Sequence, residues 1–69
     1  MDSKYVINRL KSTLYKYPTV QLLKNRMSNL EESNRNEIVT SLKIELHKQR
    51  NADIQEPLFE LLYRMRIAS

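Results

Sequence analysis

The chain has 69 residues, of which 41% are hydrophobic, and its formal net charge at pH 7 is +4. This length allows one domain with a small core, since a chain of this size buries only about 60% of the surface that it exposes when unfolded. With one histidine and no cysteine, disulfides and the usual zinc ligand sets are excluded. We expect no cofactor. No membrane partner is expected either, because no apolar run approaches the ~20 residues that span a bilayer.

The amino-acid composition also predicts the fold class. Glycine is absent and there are two prolines, whereas tight β-hairpin turns favour glycine at positive φ. We therefore expect an all-α protein, a compact three- or four-helix bundle that forms a single domain over residues 1–69. Hydrophobic periodicity and helix-stop residues place the helices at about 3–17, 19–31, 35–50 and 54–67.

The first segment has an apolar stripe at helical spacing, formed by Val6, Ile7, Leu10, Leu14 and Tyr17. Asp2 or Ser3 precedes it and is suited to cap its first amides. Pro18 is expected to end this helix, because the residue before a proline is disfavoured in the α region.

The second segment is expected to start with Thr19 as its cap and to run to about Glu31. Its apolar residues follow the 3-4-3 spacing of a narrow helix–helix contact: Val20, Leu23, Met27 and Leu30, with Leu22 widening the stripe.

The third segment carries a capping-box pattern, in which Asn34 is the cap and Glu37 follows three residues later. Its buried stripe is expected to consist of Ile38, Val39, Leu42 and Leu46. His47 lies near the end of this helix, where the helix dipole favours a cation, and a surface position is expected for it.

The fourth segment begins with a second box-like pair, Asp53 and Glu56, and Pro57 is expected to lie in its first turn. Its core stripe is Ile54, Leu58, Leu61, Leu62 and Met65. Glu60 and Arg64 are four residues apart, which predicts an exposed ion pair rather than a catalytic carboxylate.

The first half of the chain is basic, since residues 1–30 contain six basic residues and one acidic residue. We expect one face of the first helix to present Lys4, Tyr5, Arg9, Lys11, Tyr15 and Lys16. Such a face suits nucleic-acid phosphates or an acidic protein surface. The structural alternative is that the tyrosine rings cover neighbouring helices while their hydroxyls reach water.

A second surface is left over on the fourth helix, where Phe59, Tyr63 and Arg66 form an aromatic stripe beside the core stripe. Leu62 of the core stripe adjoins these residues and is included in the predicted binding surface. A terminal helix this apolar is either central in the bundle or presented to a partner. We favour presentation to a partner, and a second copy of the chain is the preferred one.

These features predict a cytoplasmic, non-enzymatic regulatory or adaptor protein that binds another protein and forms a homo-oligomer. The alternative is a DNA- or RNA-binding transcriptional regulator that uses the basic face of the first helix. A subunit of a larger assembly would have the same sequence features as the adaptor.

Overall fold

The computed structural model describes residues 1–68, and the side chains of residues 1–66. Over these residues the chain forms four α-helices and no strand: α1 Ser3–Ser12, α2 Lys16–Ser28, α3 Glu32–Lys48 and α4 Ala52–Ala68. The expected all-α helical bundle is confirmed. Positive φ occurs at none of the described residues, which suits a chain without glycine.

The first helix starts as expected and ends earlier than expected. The Asp2 carboxylate accepts a hydrogen bond from the Tyr5 amide at 2.8 Å, which confirms Asp2 as the cap. α1 ends at Ser12 because Thr13 turns into extended backbone and its hydroxyl accepts the amide proton of Tyr15 at 3.0 Å. A local side-chain hydrogen bond of this kind competes with helix continuation.

Pro18 lies inside α2, as its third residue, and does not separate two helices. The amides of a first helical turn have no partner within the helix, so the missing proline amide costs little there. Thr19 was expected to cap α2, and this was wrong. It is buried within the helix, where its hydroxyl pairs with that of Thr13 at 2.9 Å.

The third helix also begins earlier than the capping-box pattern predicts. Glu31 occupies the cap position without a side-chain hydrogen bond, and Asn34 lies in the first turn of α3. The backbone carbonyl of Glu31 accepts the amide proton of Arg35 at 2.8 Å, which begins the helical hydrogen-bond series. The interpretation of Asn34 as the cap was therefore wrong.

The fourth helix is capped by Asn51, and the prediction of Asp53 as its cap was wrong. The Asn51 side chain accepts the amide proton of Asp53 at 2.9 Å, and its carbonyl accepts those of Ile54 and Gln55. This earlier start makes Pro57 the sixth residue of α4, which places it beyond the first turn. Pro57 is buried there.

The core lies at the centre of the bundle, and all four helices contribute to it. Its buried members are Val6, Ile7, Leu10, Val20, Leu23, Met27, Ile38, Leu42, Leu58, Leu61 and Met65. Two residues of the predicted first stripe are not among them, because α1 ends before it reaches them. Leu14 is 90% exposed and Tyr17 is about half exposed. Leu22 on α2 is also about half exposed.

α4 is the central element of the packing, with its most extensive contacts to α2 and further contacts to α3 and α1. A hydrogen bond of 2.9 Å from the Arg64 guanidinium to the Gln21 side chain connects α4 to α2. The side of α4 that points away from the core remains open to solvent.

Candidate functional site

Two aromatic side chains point outward from α4. Phe59 is 60% exposed and Tyr63 is 50% exposed, and they lie one helical turn apart. Leu58 and Leu61, on the opposite side of the same helix, are fully buried. α4 is therefore central in the bundle, but burial of Phe59 and Tyr63 within it, which was the alternative, is wrong.

The other two residues of the predicted stripe differ in exposure. Leu62 is partly buried and packs against the core, whereas the Arg66 side chain is exposed. We call the four residues Phe59, Leu62, Tyr63 and Arg66 the α4 aromatic face. The structure therefore brings all four predicted residues together on one side of α4.

A groove of about 510 Å³ runs beside the α4 aromatic face, between α3 and α4. Its apolar lining comes from both helices: Val39, Leu46, Phe59, Leu62, Tyr63 and Met65. Three basic side chains also line it, Arg35, Lys43 and Arg66. The Arg35 guanidinium donates to the Leu30 carbonyl at 3.2 Å, so this residue also holds the α2–α3 link.

A second depression of about 420 Å³ adjoins the groove near the start of α4 and shares Leu46 and Phe59 with it. Its other lining residues are Tyr17, Gln55, Glu56 and Glu60. The charged residues here are acidic, whereas those of the first groove are basic. On α4 itself, Glu56 lies in the first half of the helix and Arg66 lies near its end, so opposite charges lie towards its two ends.

The predicted ion pair on α4 is confirmed. Glu60 and Arg64 are joined by a contact of 3.0 Å, with about a third of each side chain exposed. Pairs of this exposure contribute about 0–1 kcal/mol because water and salt screen them. This contact orders the side of α4 that faces α2.

The predicted basic face of the first helix is not one helical face. Because α1 ends at Ser12, Tyr15 precedes α2 and Lys16 is its first residue. The Lys16 ammonium donates to the Leu10 carbonyl near the end of α1. Lys16 therefore connects the start of α2 to the end of α1.

Tyr5 also has an internal partner. Its hydroxyl accepts a hydrogen bond of 2.7 Å from the Arg26 guanidinium, whose central carbon lies 5.3 Å from the ring centroid. Lys4, Arg9 and Lys11 remain exposed on α1. Of the six predicted residues, these three cations are the ones that lie exposed within α1.

Sequence reasoning missed the contribution of α3 to the groove. Val39 and Leu46 were expected in the core, but both are only partly buried and line the groove. Their spacing of seven residues was a usable signal, because it places them on one side of the helix, displaced from Ile38 and Leu42. Tyr17 was also missed as a surface residue, because its position depends on where α1 ends.

The side chains that usually hold metal ions do not cluster in the part of the chain that the structure describes. His47 is exposed near the end of α3, as expected. No group of three or more His, Asp or Glu side chains in the described residues is arranged to hold a metal ion. Among residues 1–68, no helix has the length and apolar character needed to cross a membrane. No protein-family model, curated protein or solved structure matches this chain.

Proposed function

We propose that this chain is a small, non-enzymatic regulatory or adaptor protein that binds another protein through the α4 aromatic face. The observation that carries the proposal is the exposure of Phe59 and Tyr63 beside an apolar groove of about 510 Å³. Aromatic and arginine side chains are enriched where binding energy is concentrated in protein interfaces. Arg66 lines the same groove, so both aromatic and arginine side chains are present there.

The construction of the groove supports binding of a helical or extended segment. Its two walls are α3 and α4, which are held by the core, so the groove is formed before a partner arrives. Because little of this protein has to become ordered on binding, the entropic cost of that ordering is small. Burying the part of Phe59 that is still exposed, 60%, contributes about 1–2 kcal/mol from area alone.

Photocrosslinking tests this proposal in the cells that make the protein. A benzophenone amino acid replaces Phe59 in one variant and Ile44 in a matched control. Ile44 is also an exposed hydrophobic residue, at 53%, but it lies on the side of α3 away from the groove. The adducts are identified by mass spectrometry.

We expect one defined polypeptide to be crosslinked at position 59 and not at position 44. The proposal is contradicted if position 59 yields no adduct, or if both positions yield the same set of proteins. The mass of the adduct also distinguishes a second copy of this chain from a different protein.

Nucleic-acid binding is the second candidate, and it is favoured by the charge of the α1–α2 half. Every charged side chain within α1 and α2 is basic, and Lys4, Arg9 and Lys11 are exposed. Phosphate contacts of this kind make the affinity for duplex DNA fall with salt, by about 0.9 in the log–log slope per contact.

The test is fluorescence anisotropy with duplex DNA and with RNA across a salt series. Replacing Lys4, Arg9 and Lys11 by alanine should lower the slope by about 2–3 on duplex DNA. Replacing Lys48, an exposed lysine at the end of α3, should leave the slope unchanged. Absence of binding at low salt excludes this second candidate.

A further inference from the structure

The outer side of α4 has a symmetric arrangement about the middle of the helix. Phe59 and Tyr63 lie two residues before and after Leu61, and Glu56 and Arg66 lie five residues before and after it. We propose that the protein bound at the α4 aromatic face is a second copy of this chain, whose α4 packs antiparallel to the first. This inference rests on the proposed function and names the partner for the same site.

The residue spacing supports a helix–helix contact of this kind. Glu56, Phe59, Tyr63 and Arg66 follow one another at intervals of three, four and three residues, the spacing of a coiled-coil seam. If the two-fold axis of an antiparallel pair crosses the outer side of α4 at the height of Leu61, Phe59 packs against the partner's Tyr63. The same axis repeats this contact, so both aromatic rings of each copy are covered.

Charge selects the antiparallel orientation. The two-fold axis places Glu56 opposite the partner's Arg66, twice in each dimer. A parallel pair would instead bring Glu56 against the same residue of the partner, and Arg66 against Arg66. Like charges placed opposite each other destabilise an interface, whereas complementary charges fix its register.

The residues that flank α4 extend this complementarity. Arg35 of α3 lines the groove together with Arg66, and Glu60 lines the depression together with Glu56. Two-fold rotation brings the basic end of one copy to the acidic end of the other. The surface is therefore complementary to itself, as an isologous interface requires.

The expected dimer is weak. One helix face and part of a groove form a contact at the lower end of interface sizes, where complexes are transient. We therefore expect a monomer–dimer equilibrium with a dissociation constant in the micromolar range. The equilibrium is measured by sedimentation velocity from micromolar to millimolar protein.

Charge reversal tests the pairing. Glu56→Arg alone places like charges together at both ends of the seam and should weaken the dimer about 10-fold or more. Adding Arg66→Glu to the same chain restores opposite charges and should return the affinity to within about 3-fold of the original. Glu37→Arg changes the net charge equally at an exposed residue of α3 that does not line the groove. It should leave the dimer unchanged.

Cysteine crosslinking tests the orientation separately, and the natural chain contains no cysteine to interfere. Chains with Glu56→Cys and chains with Arg66→Cys are oxidised alone and as a mixture. Antiparallel pairing predicts a disulfide dimer in the mixture and little in either sample alone. Crosslinking of each variant with itself indicates a parallel pair and overturns the proposal.

The remaining outcomes separate this inference from the proposed function. A protein that stays monomeric up to millimolar concentration overturns the dimer, as does a dimer that Glu56→Arg does not weaken. If the benzophenone at position 59 still captures a different single protein, the binding face stands and only the second copy is excluded. If it captures nothing, both fail.

Discussion

At the scale of single residues, Leu10 and Leu14 show where hydrophobic periodicity stops predicting burial. They are four residues apart and would share a side of one helix. In the structure Leu10 is fully buried and Leu14 is 90% exposed, because Thr13 ends α1 between them. The sequence pattern predicts that both leucines stabilise the fold equally. The structure instead predicts that their removal has very different effects on the free energy of unfolding.

Alanine substitution separates these two predictions. Leu10→Ala leaves a cavity in the core and should lower the free energy of unfolding by about 2–5 kcal/mol. Leu14→Ala removes no buried contact and should change it by less than about 0.5 kcal/mol. Urea unfolding followed by circular dichroism measures both. Similar losses for the two variants would contradict the end of α1 at Ser12.

The pair formed by Thr13 and Thr19 gives a second prediction at this scale. Their hydroxyl oxygens are 2.9 Å apart and Thr19 is buried. Thr13→Val leaves the Thr19 hydroxyl without this partner, which should cost about 1–3 kcal/mol of stability. Thr19→Val should cost less, because the partly buried Thr13 hydroxyl still accepts the Tyr15 amide proton, and the double variant should cost less than the sum of the two single losses. Additive losses measured by chemical unfolding would show that the two hydroxyls are not coupled.

Local contacts were predicted from the sequence and distant ones were not. The Asp2 cap and the Glu60–Arg64 pair depend on spacings of three and four residues within one helix. The contact of Tyr5 with Arg26 spans 21 residues. No spacing rule within a helix specifies such a contact, because it depends on how α1 and α2 pack.

At the scale of elements, four helical segments could be predicted, but the starts of α2, α3 and α4 lie two or three residues earlier than expected. Periodicity identifies a helix over many residues, whereas a cap depends on one side chain among several candidates. Asn34, Asn51 and Asp53 are all residue types that cap helices. The structure decides between these candidates: Asn51 accepts the amide proton of Asp53, whereas Asn34 lies within α3.

The two asparagines provide a matched test of these helix starts. Asn51→Ala removes the side-chain cap of α4 and should lower stability by about 1 kcal/mol. Asn34→Ala should be neutral or stabilise by a few tenths of a kcal/mol, since alanine has the higher helix propensity. Thermal unfolding by circular dichroism compares them directly. A larger loss for Asn34→Ala would show that the capping-box pattern, and not Asn51, identifies the functioning cap.

At the scale of the whole molecule, packing decides which apolar residues remain outside. The sequence shows that α4 is apolar over more than half of its circumference, which left central burial and presentation equally open. α2 and α3 pack beside α4 and leave Phe59 and Tyr63 exposed on its outer side. The groove with α3 could not be predicted, because it requires the relative position of two helices. Phe59, Tyr63 and Arg66 could be predicted, since the core stripe does not include them, whereas Leu62 belongs to both the core stripe and the α4 aromatic face.

The expected dimer has a consequence for the stability of the whole molecule. If only the folded chain dimerises, unfolding becomes dependent on protein concentration. A tenfold increase above the dissociation constant stabilises a dimer by about 1.4 kcal/mol, or about 0.7 kcal/mol per chain, which raises the melting temperature of a domain this small by about 3–6 °C. Calorimetry over a concentration series should show this rise for the natural chain.

The variant with Phe59→Ser and Tyr63→Ser should melt at the same temperature at every protein concentration. Both substitutions lie on the exposed side of α4, so they remove the contact without opening the core. A melting temperature of the natural chain that is independent of concentration would contradict the dimer, and a concentration dependence retained by the double variant would place the contact elsewhere on the bundle.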